Sequence, residues 1–250
     1  MARLILGIQP AREAIRARGE ALEKVLVQQD GGPTLDALAR FATGRGVAVE
    51  TRSRGELDRM AAGGRHQGVI VVAPELELVP LEKLPIGPTS LFMVLDGVMD
   101  PQNFGAVIRS AVALGASAIV WPEHSSAPLS PATFRASAGA VEHAALCRVP
   151  SLPEALDLLA EKGVTAVALD AQGPTLLSGV DLRGPIAIVI GAEDKGVRRP
   201  VRRACRFTAR LPMAGPIASL NASVAAALAL YEAARQRTAE PPRATPGAQP

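Results

Sequence analysis

Short, almost wholly apolar runs recur along the chain, and between them lie segments with apolar residues every three or four positions. The first pattern predicts buried strands and the second predicts helices packed on them. In the N-terminal third, Ile8, Ala11, Ala14, Ile15 and Arg18 set a helix over 8–18. Residues 25–27, 47–49 and 69–73 read as strands. Residues 35–41 read as a second helix, with Thr34 as its N-cap. Residues 75–88 break the pattern. Three prolines (Pro80, Pro85, Pro88) and a charge of −2 (Glu75, Glu77 and Glu82 against Lys83) predict a semi-rigid linker that keeps two domains apart. Beyond it, 91–95, 117–121, 164–169 and 186–190 are apolar enough for strands covered on both faces. Helices are expected over 104–114, 153–162 and 222–235. Alternating strand and helix implies an α/β domain with a mostly parallel sheet and ligands at the strand C-termini. The organisation expected is therefore 1–74, a linker at 75–88, a second domain over 89–236, and a proline-rich disordered tail over 237–250.

Composition narrows the class. The chain has 250 residues, 48% of them hydrophobic, which excludes a disordered chain. Two cysteines, Cys147 and Cys205, exclude a disulfide framework and suit a reducing, cytoplasmic compartment. The apolar run at 4–8 is too short for a signal-peptide core. Residues 211–231 carry no charge over 21 positions, long enough to span a bilayer. Two prolines, a glycine, an asparagine and serines within that run favour a loop feeding a buried helix, so no membrane association is expected.

Net charge is only +3, but it is unevenly spread. Residues 1–74 hold 11 basic against 8 acidic side chains. Between 195 and 210 stand seven cations, Lys195, Arg198, Arg199, Arg202, Arg203, Arg206 and Arg210, with no acid among them. Arginine forks match phosphate oxygens, so an RNA backbone is the natural partner of this run, with a solvated face as the bland alternative. Aromatics make up only 3% of the chain, so stacking platforms for bases are few.

The three histidines and two cysteines show no metal-ligand spacing, and no P-loop, GxGxxG or GxSxG is present, so no metal is expected. What remains is three strand-to-loop segments. In the first, Asn103 stands where an N-cap belongs, or could reach a ligand, and Arg109 follows along the same helix. In the second, Gly191 ends a strand, lets backbone approach a ligand, and leads to Glu193, with an ordinary acidic turn as the alternative. The third is polar and uncharged, with Ser219 and Asn221 either capping a helix or facing a small molecule.

Together, in this order, the segments resemble the SpoU (TrmH-type) branch of the SPOUT RNA methyltransferases. DPQNFGAVIRSAVALGA (100–116) resembles that family's first motif, IVIGAEDKGVR (188–198) its second, and LPMAGPIASLNASVAAALALYEA (211–233) its third. GIQPAREAIRA (7–17), RHQGVIV (65–71) and SAGAVEHAALCRV (137–149) resemble the RlmB-like group, which carries a small RNA-binding domain before the catalytic one. The resemblance implies a trefoil-knotted α/β domain, a homodimer, and S-adenosylmethionine held by Ile190, Gly191, Leu211, Met213, Ser219 and Leu220. It implies methyl transfer to a ribose 2′-hydroxyl with Asn103, Arg109, Glu193 and Asn221 as catalytic residues, and Lys195, Arg198, Arg199, Arg202 and Arg203 on RNA. Arg109 would act as base or as phosphate binder. A guanosine of 23S ribosomal RNA is the expected target. Transfer RNA, or a non-enzymatic role in ribosome assembly, are the alternatives. A small-molecule α/β enzyme would leave the arginine run unexplained. Two positions depart from the family pattern: Asp194 stands where glycine is common, and Gln9 where histidine often opens the N-terminal domain.

Overall fold

The computed structural model describes residues 2–217 and 219–238. The chain builds two sheets in sequence. The first is formed by β1 (Arg3–Leu6), β2 (Lys24–Gln28), β3 (Val49–Arg52) and β4 (Val69–Ala73), in the order β1-β4-β2-β3. Helices α1 (Ile8–Arg18) and α2 (Pro33–Thr43) cover one face, where Ile15 and Leu38 meet Val25 and Val71. Helix α3 (Arg54–Ala61) covers the other, with Leu57 against Leu26 and Ile70.

The second sheet is wholly parallel: β5 (Leu91–Asp96), β6 (Ala118–Pro122), β7 (Leu146–Val149), β8 (Thr165–Leu169), β9 (Thr175–Leu176), β10 (Ile186–Gly191) and β11 (Phe207–Arg210), in the order β7-β6-β5-β10-β8-β11-β9. Its central strands are buried on both faces, and this produced the unbroken apolar runs. Leu91, Met93 and Leu95 face a layer built by α4 (Pro101–Ala113), α5 (Pro131–Ser137) and α8 (Ala222–Thr238). Phe92 and Val94 face the layer of α6 (Leu152–Glu161) and α7 (Arg199–Arg203).

Several expectations are corrected. Gly32, not Thr34, caps α2, because Pro33 takes the first helical position. The third strand starts at Val49 rather than Val47, which closes the preceding turn with its N–H on Ala42 O. Helix α3 was missed, although Ser53 and Glu56 form a full capping box before it. Strands β1, β7, β9 and β11 and helix α5 were missed too, being only two to seven residues long.

The segment 75–88 does not hold the domains apart. Leu81 and Leu84 sink into the core beside Phe92, and Leu78 bridges to Leu146 at the sheet edge. The two domains are in contact. Glu142, in a 3-10 turn after α5, is buried and takes Arg3 Nη1 and Arg18 Nε from the first domain at 2.7 and 2.6 Å. His143 Nε2 meets Glu13 at 3.0 Å. A Cβ on Gly139 would lie 2.9 Å from the backbone of Pro10, so helix and turn approach as closely as glycine permits. The last helix also outruns the expected domain end at 236. Arg237 donates to the carbonyls of Thr89, Leu182 and Gly184, so 237–238 are structured. The tail expected to be disordered lies, from 239 on, outside the described residues.

Candidate active site

The site forms where β5 and β10 end side by side. Gly191 pairs in register with Asp96, which brings the loops after both strands together. Helix α4 starts in the first loop. Its N-cap is Asp100, whose carboxylate accepts from Gln102 N and Asn103 N, and Pro101 takes the first helical position. This corrects the placement of Asn103 at the cap. Three positions into the helix, its amide is free to act elsewhere.

Asn103 Nδ2 donates to Glu193 Oε1 at 2.7 Å. Asn221 Nδ2 donates to the same oxygen at 2.6 Å and to Asn103 Oδ1 at 3.0 Å. The three loops therefore converge on one carboxylate. Asn221 also caps α8, its Oδ1 accepting from Ser223 N and Val224 N at 2.9 and 3.3 Å. Asn221 thus caps the helix and binds Glu193 and Asn103 together, because an amide offers donors and an acceptor at once. All three side chains are accessible to solvent. Arg109 lies six residues further along α4, about 9 Å of axial rise at 1.5 Å per residue. It is exposed and hydrogen-bonds no described residue.

Behind the carboxylate lies a cavity of about 370 Å³. Ile190, Gly191, Leu211, Met213, Ser219 and Leu220 line it together. So do Leu169, Asp170 and Gln172 at the end of β8, which sequence reasoning missed. The position of β8 beside β10, at the C-terminal edge of a parallel sheet, was the signal that could have found them. Gly191 is irreplaceable on steric grounds: a Cβ there would fall 1.9 Å from Gly196 C. That contact exists because 192–196 fold back as a tight turn, with Gly196 N donating to Ala192 O at 2.8 Å and Gly196 at a left-handed φ of 62°.

The turn is pinned from below by Asp96. This carboxylate is fully buried and accepts Arg198 N at 2.7 Å and Arg198 Nε at 2.6 Å. The arginine run is thus divided. Arg198 pairs with Asp96, Arg202 with Asp170 at 2.7 Å, and Arg210 caps the carbonyls of Gly173 and Pro174 at 2.6 and 2.8 Å. Only 199–203 are helical, so the run does not form one long basic face. Lys195, Arg199 and Arg203 are exposed, with no ion pair among the described residues.

The uncharged stretch 211–231 is a loop followed by α8, and no described helix is long and apolar enough to cross a membrane. Among the described residues no three His, Cys, Asp or Glu side chains gather as a metal site.

Comparison with known proteins gives these shapes a lineage. The model of the SpoU rRNA methylase family matches residues 90–231, and that of the RNA 2′-O ribose methyltransferase substrate-binding domain matches 4–79. A 23S rRNA (guanosine-2′-O-)-methyltransferase, RlmB, of Coxiella burnetii is 36% identical over 95% of this chain and 97% of its own length. An uncharacterised tRNA/rRNA methyltransferase of Mycolicibacterium vanbaalenii is 38% identical over 94% of this chain and 76% of its own. Among solved structures, the SpoU methyltransferase AviRb from Streptomyces viridochromogenes in complex with AdoMet superposes with a TM-score of 0.78 at 27% identity, covering 94% of this chain and 90% of that one. The chain belongs to the SpoU rRNA methylase family and is an RNA methyltransferase.

Proposed function

We propose that this chain transfers a methyl group from S-adenosylmethionine to a ribose 2′-hydroxyl of RNA, most specifically a guanosine of 23S ribosomal RNA. The observation that carries the reading is the convergence of three loops on Glu193 beside a 370 Å³ cavity. The volume suits a ligand of nucleoside size. The aliphatic walls of Ile190, Leu211 and Leu220 suit an adenine face, the bare backbone at Gly191 admits close approach, and Ser219 offers a polar edge. The bound cofactor would supply an electrophilic methyl group on a cationic sulfur.

The chain's own residues then position the nucleophile and handle its charge. As the hydroxyl oxygen bonds to the methyl carbon, the carbon–sulfur bond would break to leave a neutral thioether, the hydroxyl proton would pass to solvent water, and negative charge would develop on the oxygen on the way. Arg109 is exposed on α4, about 9 Å of axial rise beyond Asn103, and its side chain pairs with no described residue. A guanidinium is a poor base near neutrality, so Arg109 holds a phosphate next to the target and stabilises the developing alkoxide. Glu193 Oε1 already gathers Asn103, Asn221 and, at 3.4 Å, Ala222 N. That carboxylate orients the two amides, and the amides orient the ribose. Exposed Lys195, Arg199 and Arg203 take phosphates, whereas Arg198 and Arg202 shape the loops instead. Residues 1–74 serve as an RNA-binding domain ahead of the knotted catalytic domain.

The guanosine of 23S rRNA is favoured by the Coxiella burnetii relative, matched over almost its full length. The relatives named tRNA/rRNA methyltransferases favour a transfer RNA target as the second reading. A homodimer is part of the proposal. Val224, Leu228 and Tyr231 form an exposed apolar stripe on α8, while its opposite side is buried against α4.

The roles are tested with Arg109→Ala and Arg109→Lys. Both are expected to lower turnover at least about a hundredfold, as for a lost transition-state contact. S-adenosylmethionine affinity, measured by titration calorimetry, stays within about twofold. Full activity in either variant contradicts the assignment.

A further inference from the structure

The arginine run was the expected RNA grip, yet three of its members are tied to their own fold. Another basic surface is built on the first domain. Helices α1 and α2 lie side by side on one face of the first sheet and leave a groove of about 290 Å³ between them. It is lined by Arg12 and Arg16 from α1 and by Ala37, Leu38 and Phe41 from α2. No carboxylate lines it. Arg45 lies over the Phe41 ring, its guanidinium carbon 5.6 Å from the centroid. Arg16 shares Glu13 at 2.9 Å, whereas Arg12 and Arg45 pair with no described acid. Phe41 is half-buried, packed in part against the first core, and one of only seven aromatics in the chain.

We propose that this groove binds a single-stranded nucleotide of the substrate RNA, its base against Phe41 and its flanking phosphates on Arg12, Arg16 and Arg45. Guanidinium groups around an aromatic ring are what unpaired RNA requires: forks for phosphate, and a face for a base of any identity. The groove is also held at a fixed span from the active site, because α1 carries Glu13 against His143 and Arg18 against Glu142. The inference rests on the RNA methyltransferase reading and adds a second anchoring point, distant from Arg109.

The test uses the full chain and a 23S rRNA transcript free of modification. Filter binding is measured across salt concentrations for Arg12→Ala/Arg45→Ala, Phe41→Ala and Phe41→Tyr. Arg59→Ala, on α3 across the sheet, is the control. The double variant is expected to bind about tenfold more weakly, and its log K against log salt slope to flatten by about 1.4, at about 0.7 per lost phosphate contact. Phe41→Ala weakens binding and Phe41→Tyr restores it. S-adenosylmethionine affinity and thermal melting follow wild type in the double variant. A double variant with the affinity and slope of Arg59→Ala overturns the proposal. Because binding is read directly, failure of the wild type to methylate would count against the reaction and leave this result standing.

Discussion

Glu193 shows how much depends on a single oxygen. Its Oε1 accepts from Asn103 on α4 and from Asn221 and Ala222 N at the start of α8, so two segments far apart in sequence share one anchor on a third. The two thiols sit at the opposite extreme. Burial pushes the Cys147 thiol up to about 11, and burial together with nearby Asp96 pushes Cys205 up to about 12. Both therefore stay protonated where an ordinary thiol, at about 8.5, would begin to ionise. Their folded values exceed the unfolded ones. The stability they contribute is thus whole below about pH 8.5 and is lost as pH rises towards 11–12. Iodoacetamide at pH 8 should label neither cysteine in the native protein and both after denaturation, read by mass spectrometry. Rapid native labelling would contradict the burial of Cys147, or the raised value of the half-buried Cys205 thiol. At this scale the sequence was only partly legible. Asn103, Glu193 and Asn221 stood out through the resemblance of their segments to the SpoU motifs; from the residues alone, helix caps and an acidic turn were open readings. That Asn103 leaves capping to Asp100 depends on Pro101 setting the helix start, a signal present but passed over.

Among elements, the long parallel strands were the most legible. Each is a run of aliphatic residues buried on both faces, and runs such as 186–190 have few other readings. Strand β11 escaped because Phe207, Thr208, Ala209 and Arg210 carry no such run; its place is fixed by pairing with β8 and β9. The arginine run misled for a similar reason. Its partners Asp96 and Asp170 lie 102 and 32 residues away, invisible to local spacing. The Asp96–Arg198 pair also carries a prediction about the loop between β10 and α7. Leaving a buried carboxylate without its cation is costly, and the turn bearing Gly191 and Glu193 would loosen. Arg198→Ala and Asp96→Asn should raise KM for S-adenosylmethionine roughly tenfold while KM for RNA moves little, as expected when a cofactor loop loses preorganisation. Arg199→Ala, one residue away and unpaired, should do the reverse. Initial-rate measurements with each substrate varied in turn decide the point. An Arg198→Ala variant impaired only towards RNA would return Arg198 to the phosphate-binding set.

At the scale of the molecule, the correction that matters most is the contact between domains. A proline-rich acidic segment suggested separation, but Leu81 and Leu84 pack it into the second core, and Glu142 receives two arginines from the first domain. The groove between α1 and α2 and the cavity beside Glu193 therefore belong to one continuous framework, and an RNA bound to both must match its span. The small net charge of +3 conceals the basic surfaces, because acids elsewhere in each domain, and to a lesser extent the acidic segment between them, offset their charge. Whether this framework directs methyl transfer to a ribose 2′-hydroxyl is decided by mapping the product. The protein is incubated with tritiated S-adenosylmethionine and total RNA from a strain lacking it, and ribose methylation is located by its resistance to alkaline cleavage. Label is expected on one 2′-O-methylguanosine in 23S rRNA. Label confined to transfer RNA would overturn the target, and label on a base, or on no RNA, would contradict the reaction itself.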